Sequence, residues 1–397
     1  MAKRGGRPGG SWRKALAIPA SKRAILCLDG GGIRGIMTIQ LLKRLEEIAQ
    51  KPCHEIFDMV AGTSTGGIIA GLIAAGKTAL EIESLYSKFV KLVFTERLLG
   101  NRFINPPEYT KKNYRDILRT ELSNVTLLDV CTQNDIDLLI TANDVAEGEE
   151  TYFACKRDNA GTSTDRYKDV LLRAAMEATM SAPTYFTPLE RLVDGGVTTY
   201  NNPSLAAITE AVRYGPPGKY AAEQLVVLSF GTGYRQQLIA ADEVPDPPGP
   251  DAMFWLQWIM SEAGADASDM QSYFLRSGAC AGIDYRRFQI SLDHTAINKL
   301  PDQPLQHDDN TPAQSIHQLT DPELAAIELD DVKHFDVMRA IGAGFVAYLD
   351  QETGYPPFTR DLIDPQTKKE LLVTRSGNTD TIASQMSDPN WLDHYQD

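Results

Sequence analysis

Two consecutive strand–turn–helix units near the start of the chain place the strongest limit on its fold. Residues 24–28 form a short apolar run that ends in a cluster of glycines, and residues 36–48 carry apolar side chains at helical spacing. The pattern repeats with an apolar run at 56–61 and a helix of small residues at 65–75. Because strands that alternate with helices usually pair in parallel, we predict an α/β fold with a mainly parallel sheet.

The later part of the chain continues this alternation. We predict strands at 136–142, 152–156, 189–193, 225–230 and 284–292, and helices at 82–94, 171–180, 205–214, 253–260 and 332–349. Four prolines between residues 243 and 251 indicate a stiff loop or linker. We therefore divide the chain into a basic tail at 1–23 that we expect to be disordered, a core at 24–240, and a C-terminal extension or lobe at 241–397.

The first glycine turn can bind an anion. Gly30, Gly31 and Gly32 have no side chains to block their backbone N–H groups, and the positive end of the following helix lies nearby. Such a loop can stabilise an oxyanion, and Arg34 would add positive charge by holding the loop or a lipid phosphate. Two alternatives remain. Together with Gly35, this run also matches the fingerprint of a dinucleotide-binding loop, and a purely structural turn is the other alternative. The fingerprint, however, needs an acidic residue at the end of the second strand.

The second glycine turn contains a candidate nucleophile. Ser64 lies in the sequence Gly-Thr-Ser-Thr-Gly, between a predicted strand and a predicted helix. A sharp turn of this kind exposes the serine Oγ, and small neighbours relieve its crowding. The alternative is that Ser64 only caps the helix that follows it.

A serine nucleophile needs a base, and no histidine lies in a segment that looks catalytic. Only His294 follows a predicted strand. Asp194 is a stronger candidate, because it ends an apolar strand and precedes two glycines, and a partly buried carboxylate can accept a serine proton. The alternative is an ordinary Asp-Gly turn.

At this point the chain resembles the patatin-like phospholipases, whose acyl hydrolases use a Ser–Asp dyad. Five ordered blocks carry the resemblance, at residues 28–35, 62–66, 178–186, 194–203 and 228–233. The resemblance implies a three-layer patatin-like fold with helices on both faces of the sheet. It also implies that Ser64 is the nucleophile, Asp194 the base, and Gly30, Gly31, Gly32 and Arg34 the oxyanion segment, without a metal or other cofactor. Ser181 and Phe230 depart from the family pattern, away from this chemistry.

The composition of the chain narrows the classes of molecule that we expect it to bind. The net charge is −14, although the first 23 residues hold seven basic and no acidic residues. The rest of the chain is therefore strongly acidic, which argues against binding a nucleic-acid duplex. Five scattered cysteines without a metal-binding spacing favour a reducing compartment. We expect a cytoplasmic protein that associates peripherally with membranes. Trp255 and Trp258 are candidate membrane contacts, with a buried core helix as the alternative.

The resemblance implies a lipid acyl hydrolase that releases fatty acids from membrane glycerophospholipids. It also allows a signal-gated effector, for example one activated by a cyclic nucleotide in bacterial defence, with the region from about residue 244 as a sensor. A small-molecule activator and a homo-oligomer belong to that second hypothesis. A dinucleotide-dependent oxidoreductase and a non-catalytic storage protein are weaker alternatives.

Overall fold

The computed structural model describes residues 10–94, 109–235, 252–305, 314–375 and 386–388. A seven-stranded sheet forms its centre, with the strand order β4-β3-β2-β1-β6-β7 and with β5 attached to β3. The strands are β1 (Arg23–Leu28), β2 (Met59–Thr63), β3 (Asp137–Asp144), β4 (Glu149–Cys155), β5 (Leu192–Asp194), β6 (Leu225–Phe230) and β7 (Asp284–Phe288). Neighbours from β3 to β7 along this order are parallel, whereas β4 and β5 run antiparallel to β3. The predicted mainly parallel sheet is confirmed.

Helices cover both faces of this sheet. The longer ones are α2 (Gly35–Ala49), α4 (Thr65–Ala74), α5 (Ala79–Val93), α6 (Lys112–Leu122), α7 (Leu127–Asn134), α8 (Leu172–Thr179), α9 (Ser204–Tyr214), α10 (Ala252–Arg276) and α13 (Phe335–Gln351). The shorter ones are α1 (Ser11–Ala15), α3 (Cys53–Ile56), α11 (His294–Ile297) and α12 (Asp321–Ala325).

Alternate residues of the central strand point into two separate cores. Leu26 and Leu28 join a large cluster with the helices α2, α4, α5, α8 and α13. Ile25 and Cys27 join a smaller cluster on the other face with side chains of α9 and the end of α10. Since successive strand residues face opposite sides, burial on both faces explains why β1 is apolar throughout. The three-layer fold is confirmed.

The N-terminal segment differs from its prediction over residues 10–22. The short helix α1 contains Trp12, which is buried in the large core together with Leu16 and Ile18. The Arg13 guanidinium donates hydrogen bonds to the carbonyls of Pro19 and Lys22. The expectation of disorder through residue 23 is therefore wrong for residues 10–22, because their apolar side chains pack into the core although basic residues lie between them. Residues 1–9 lie outside the described residues.

The C-terminal region extends the core. Its strand β7 pairs with β6 along five residues, and α13 packs so closely on α2 that a Cβ on Gly342 would lie 2.9 Å from the Cα of Met37. The predicted helix at 253–260 is the beginning of the longer α10, and the predicted strand at 284–292 ends at Phe288. The side chains of Trp255 and Trp258 lie outside the described residues. In the described ranges, no helix is both long and apolar enough to span a bilayer.

A buried ion pair connects this region to the first glycine turn. Both guanidinium ends of Arg287 on β7 bind the carboxylate of Asp29, at 2.7 and 2.5 Å, and one end also donates to the Ser229 hydroxyl at 2.8 Å. Each side chain is only 3% to 4% exposed. Ser229 lies opposite Arg287 in the β6–β7 pairing, so the guanidinium reaches across β6 to the loop that follows β1.

We expect Arg287→Met to lower the free energy of unfolding by about 3–5 kcal/mol, because it leaves the Asp29 charge buried without its partner. Urea denaturation at neutral pH measures this loss. Arg44→Met is the control, since Arg44 pairs with Asp350 at the surface and its loss should cost less than about 1 kcal/mol. Equal losses in the two variants would contradict the role given to the buried pair.

Candidate active site

The turn between β2 and α4 holds Ser64 in an unusual backbone conformation. Its φ is 52° and its ψ is −125°, a region that costs a non-glycine residue about 1–3 kcal/mol. The turn is so tight that a Cβ on Gly62 would lie 2.1 Å from the Gly66 carbonyl oxygen. The Ser64 N–H donates to the Thr179 Oγ1 of α8 at 2.8 Å. The serine therefore stands on a strained strand-to-helix turn, as its motif predicts.

The antiparallel strand β5 brings Asp194 to this turn. Within β3, Thr141 pairs with Thr63 at the end of β2, and the next residue, Ala142, pairs with Asp194. Because β4 occupies the other edge of β3, β5 continues the edge at which β2 ends. The Ser64 Oγ donates a hydrogen bond of 2.6 Å to the Asp194 Oδ2. The structure thus joins two candidates that lie 130 residues apart.

The environment of Asp194 favours its protonated form. The carboxyl group is 3% exposed, and its burial raises the pKa to about 7, although hydrogen bonds from the Ser64 hydroxyl and the Gly196 N–H oppose the shift. The Gly196 N–H donates to Oδ1 at 2.7 Å. In the described part of the chain, no cation forms an ion pair with this carboxylate. A carboxyl group with a pKa near neutrality can accept and return a proton at physiological pH.

The glycine loop that follows β1 lies beside Ser64. A Cβ on Gly30 would be 3.0 Å from the Ser64 Cβ. The Gly30 N–H donates to the Asn201 carbonyl at 3.2 Å, so its predicted place among the oxyanion donors is wrong. Among the described residues, the N–H groups of Gly31 and Gly32 have no hydrogen-bond acceptor. These two amides are therefore the donors that the loop can offer to an anion.

Two hydroxyl groups and one backbone group hold the far end of this loop. The Gly32 carbonyl accepts hydrogen bonds from the Tyr86 hydroxyl and, at 2.9 Å, from the Thr65 hydroxyl. The next N–H, that of Ile33, donates to the Leu329 carbonyl at 2.7 Å. One peptide unit is thus bound at both its oxygen and its nitrogen, and part of the C-terminal region covers the loop.

Two arginines lie close together near the loop. Arg34 donates from Nε to the Gly31 carbonyl at 3.4 Å, and burial together with the positive charge of Arg235 lowers its pKa to about 10. Burial also lowers the pKa of Arg235, while Glu328 opposes this shift. Neither guanidinium has a carboxylate within ion-pair distance in the described structure. Two cations that repel each other and have no such partner among the described residues favour an anionic ligand.

The histidines of the described residues do not bond to Ser64. The His294 ring contacts Asn298 at an exposed helix end, and His317 and His334 bond to Leu300 and Asp331. Nor do the described residues contain a cluster of three or more His, Cys, Asp or Glu side chains that could hold a metal ion.

Several residues of this site are not predicted from the sequence, among them Thr179, Asn201, Tyr86 and Arg235. Thr179 and Asn201 lie within the five ordered blocks, which place them near the site but do not indicate their hydrogen bonds. Tyr86 has the apolar spacing of a core residue of α5, and Arg235 follows the last block by two positions.

Residues 26–208 match the model of the family described as patatin-like phospholipase. This part of the chain belongs to the patatin-like phospholipase family. The 85/88 kDa calcium-independent phospholipase A2 of Mus musculus is 30% identical over 245 residues, which cover 57% of this chain and 29% of that protein. The cGAMP-activated phospholipase of Escherichia coli is 32% identical over 213 residues, covering 50% of this chain and 58% of the other.

A plant relative aligns over a longer stretch. Patatin-17 of Solanum cardiophyllum is 24% identical over 306 residues, which cover 69% of this chain and 76% of that protein. The chain therefore spans less than a third of the mouse relative and little more than half of the Escherichia coli relative.

The raised pKa of Asp194 predicts a pH-dependent cost in stability. Between its ordinary value of 3.8 and about 7, the folded protein keeps a proton that the unfolded chain has released. The stability that this proton contributes is complete below about pH 3.8, decreases progressively above that pH, and is lost once the pH has passed about 7. We expect Asp194→Asn to be more stable than the wild type at pH 8, by on the order of a few kcal/mol, and the gain to be smaller at pH 5. Urea denaturation at both pH values measures it, and a gain independent of pH would contradict the raised pKa.

Proposed function

We propose that Ser64 and Asp194 form the catalytic dyad of an acyl hydrolase that acts on membrane glycerophospholipids. The observation that carries this proposal is the 2.6 Å hydrogen bond from the Ser64 Oγ to the Asp194 Oδ2. It joins a nucleophile on a strained turn to a buried carboxyl group whose pKa suits proton transfer. Family membership supports the same reaction class.

The reaction would proceed through an acyl-enzyme. The Ser64 Oγ attacks the ester carbonyl carbon while its proton passes to Asp194, and the N–H groups of Gly31 and Gly32 donate to the developing oxyanion. The C–O bond to the glycerol then breaks, and Asp194 returns the proton to the leaving oxygen, which releases a lysophospholipid. Water next attacks the acyl carbonyl carbon while one of its protons passes to Asp194. The bond from this carbon to the Ser64 Oγ then breaks, Asp194 returns the proton to the Oγ, and the fatty acid leaves.

The arginine pair supports a phospholipid as the substrate. Arg34 contacts the loop that offers the two amides, and Arg235 lies close enough to depress its pKa. A phosphodiester bound there would offset part of the positive charge of the two guanidinium groups and place the ester near Ser64. The enzyme would then take its substrate at a membrane surface.

A second candidate is the same hydrolase under the control of a small-molecule activator. The specific observation in its favour is the 32% identity to a protein named cGAMP-activated phospholipase. An activated form could also be a homo-oligomer. The oxidoreductase alternative lacks support, because β2 ends at Thr63 and is followed by Ser64 rather than by an acidic residue. The proposed dyad disfavours a storage role.

We expect the wild-type protein to release fatty acids from phosphatidylcholine–phosphatidylglycerol vesicles, and Ser64→Ala and Asp194→Asn each to reduce the rate by about a thousandfold or more. Ser123→Ala is a matched control, since Ser123 is exposed and has nearly the same backbone conformation, with φ 51° and ψ −129°. Below about pH 7, kcat/KM should fall about tenfold per pH unit, because Asp194 must be ionised to act as a base.

Full activity of Ser64→Ala would exclude the dyad. The same assay with and without a cyclic dinucleotide separates the two candidates. Strong stimulation supports the gated enzyme, and equal rates exclude gating by that ligand.

We expect Arg235→Gln to raise KM for phosphatidylcholine by roughly 10-fold or more, since a hydrogen bond to a charged group contributes about 1.5–3 kcal/mol. The neutral ester p-nitrophenyl butyrate should be hydrolysed with unchanged KM. Arg213→Gln, at an exposed position on α9, is the control. An equal change for both esters would show that Arg235 does not bind the phosphate.

A further inference from the structure

We propose that Thr232 is a positioning residue that sets the direction of the Gly31 N–H, one of the two amides offered to the oxyanion. This inference rests on the proposed acyl-transfer function. Thr232 follows β6, and its Oγ1 donates a 2.7 Å hydrogen bond to the Gly30 carbonyl. The side chain is 2% exposed, so it acts on the loop and not on the substrate.

Because the peptide bond is planar, this hydrogen bond also sets the direction of the Gly31 N–H. In a trans peptide, the carbonyl of one residue and the N–H of the next point in opposite directions. Because Thr232 binds the Gly30 carbonyl, the Gly31 N–H must point away from Thr232. Within the described residues, no acceptor satisfies that N–H, whereas the carbonyl of the same peptide is satisfied.

Among the described residues, the other donor near the Gly30 carbonyl makes a weaker contact than Thr232. The Asn201 Nδ2 also approaches the Gly30 carbonyl, but at 3.5 Å, which is too long for a strong hydrogen bond. Thr232 also packs directly against the loop, since a Cβ on Gly31 would lie 2.2 Å from its Oγ1 and 2.5 Å from its Cβ. The Gly30–Gly31 peptide is therefore held chiefly by one hydroxyl group.

The register of the sheet places Thr232 there, and its neighbours keep it in place. Leu28 pairs with Phe230, so Gly30 and Thr232 each lie two residues beyond the last pair of β1 and β6. The residue before Thr232, Gly231, donates to the Phe288 carbonyl at 2.9 Å and accepts from the Thr38 hydroxyl at 3.2 Å. The Gly233 N–H donates to the Gln289 Oε1 at 3.0 Å.

The test compares Thr232→Val, which keeps the shape but removes the hydroxyl group, with Thr232→Ser, which keeps the hydroxyl group. For phosphatidylcholine vesicles, we expect Thr232→Val to lower kcat by roughly 10- to 100-fold, somewhat less than the loss of an oxyanion donor. KM should change less than about twofold, and the fall of kcat/KM below pH 7 should persist, because Asp194 is untouched. Thr232→Ser should stay within about threefold of the wild type.

A second measurement does not depend on the lipid. An alkyl fluorophosphonate forms a bond from its phosphorus to the Ser64 Oγ, while fluoride leaves and the serine proton passes to Asp194. Its phosphoryl oxygen takes the place of the oxyanion, so Thr232→Val should label more slowly by a similar factor, and Thr232→Ser at nearly the wild-type rate. The melting temperature shows whether both variants fold.

Wild-type kcat and labelling rate in Thr232→Val would overturn the proposal. It would also be overturned if Thr232→Ser lost as much as Thr232→Val, because packing and not the hydroxyl group would then matter. Failure of the proposed function gives a different result, in which Ser64→Ala keeps its activity or Ser64 does not react with the fluorophosphonate in any variant.

Discussion

The arrangement of the whole site depends on how β2 and β5 share one edge of β3. The parallel strand ends at Thr63, and the antiparallel strand takes up the same edge one residue later, which places Asp194 beside Ser64. A carboxylate and a serine from distant parts of the chain therefore meet through backbone hydrogen bonds. The glycine loop reaches the same point because β1 pairs in parallel with β2, so that both strands end at the same edge of the sheet.

This arrangement lowers the stability of the folded protein at the residues that we propose to be catalytic. Ser64 adopts a strained backbone conformation, and Asp194 is buried with no ion-pair partner among the residues that the structure describes. The contrast with Asp29 is instructive, because that buried carboxylate is bound by both ends of Arg287. An ion pair at Asp194 would stabilise the carboxylate but lower its pKa and weaken it as a base. The rest of the structure must offset the cost of leaving it unpaired.

The sequence predicts the elements better than the contacts between them. Ser64 and Asp194 each follow an apolar strand and precede glycine, so local patterns identify both. The roles of Thr232 and Arg287 depend on register across β1, β6 and β7, which no local pattern contains. Glycine at position 30 fits the type of an oxyanion donor, yet only the fold shows that the Asn201 carbonyl already accepts its N–H. The sequence does not reveal the helical segment at Trp12, because basic residues lie between its three buried apolar side chains.

The family match ends at residue 208, but the unit that folds around the site extends much further. Strand β7 covers the edge of β6, Arg287 neutralises Asp29, and the Leu329 carbonyl binds the glycine loop. A fragment cut after β6 would leave that strand as an unpaired apolar edge, which is a template for aggregation. Domain exchange between relatives should therefore use a boundary beyond α13, because an earlier cut removes part of the wall of the active site.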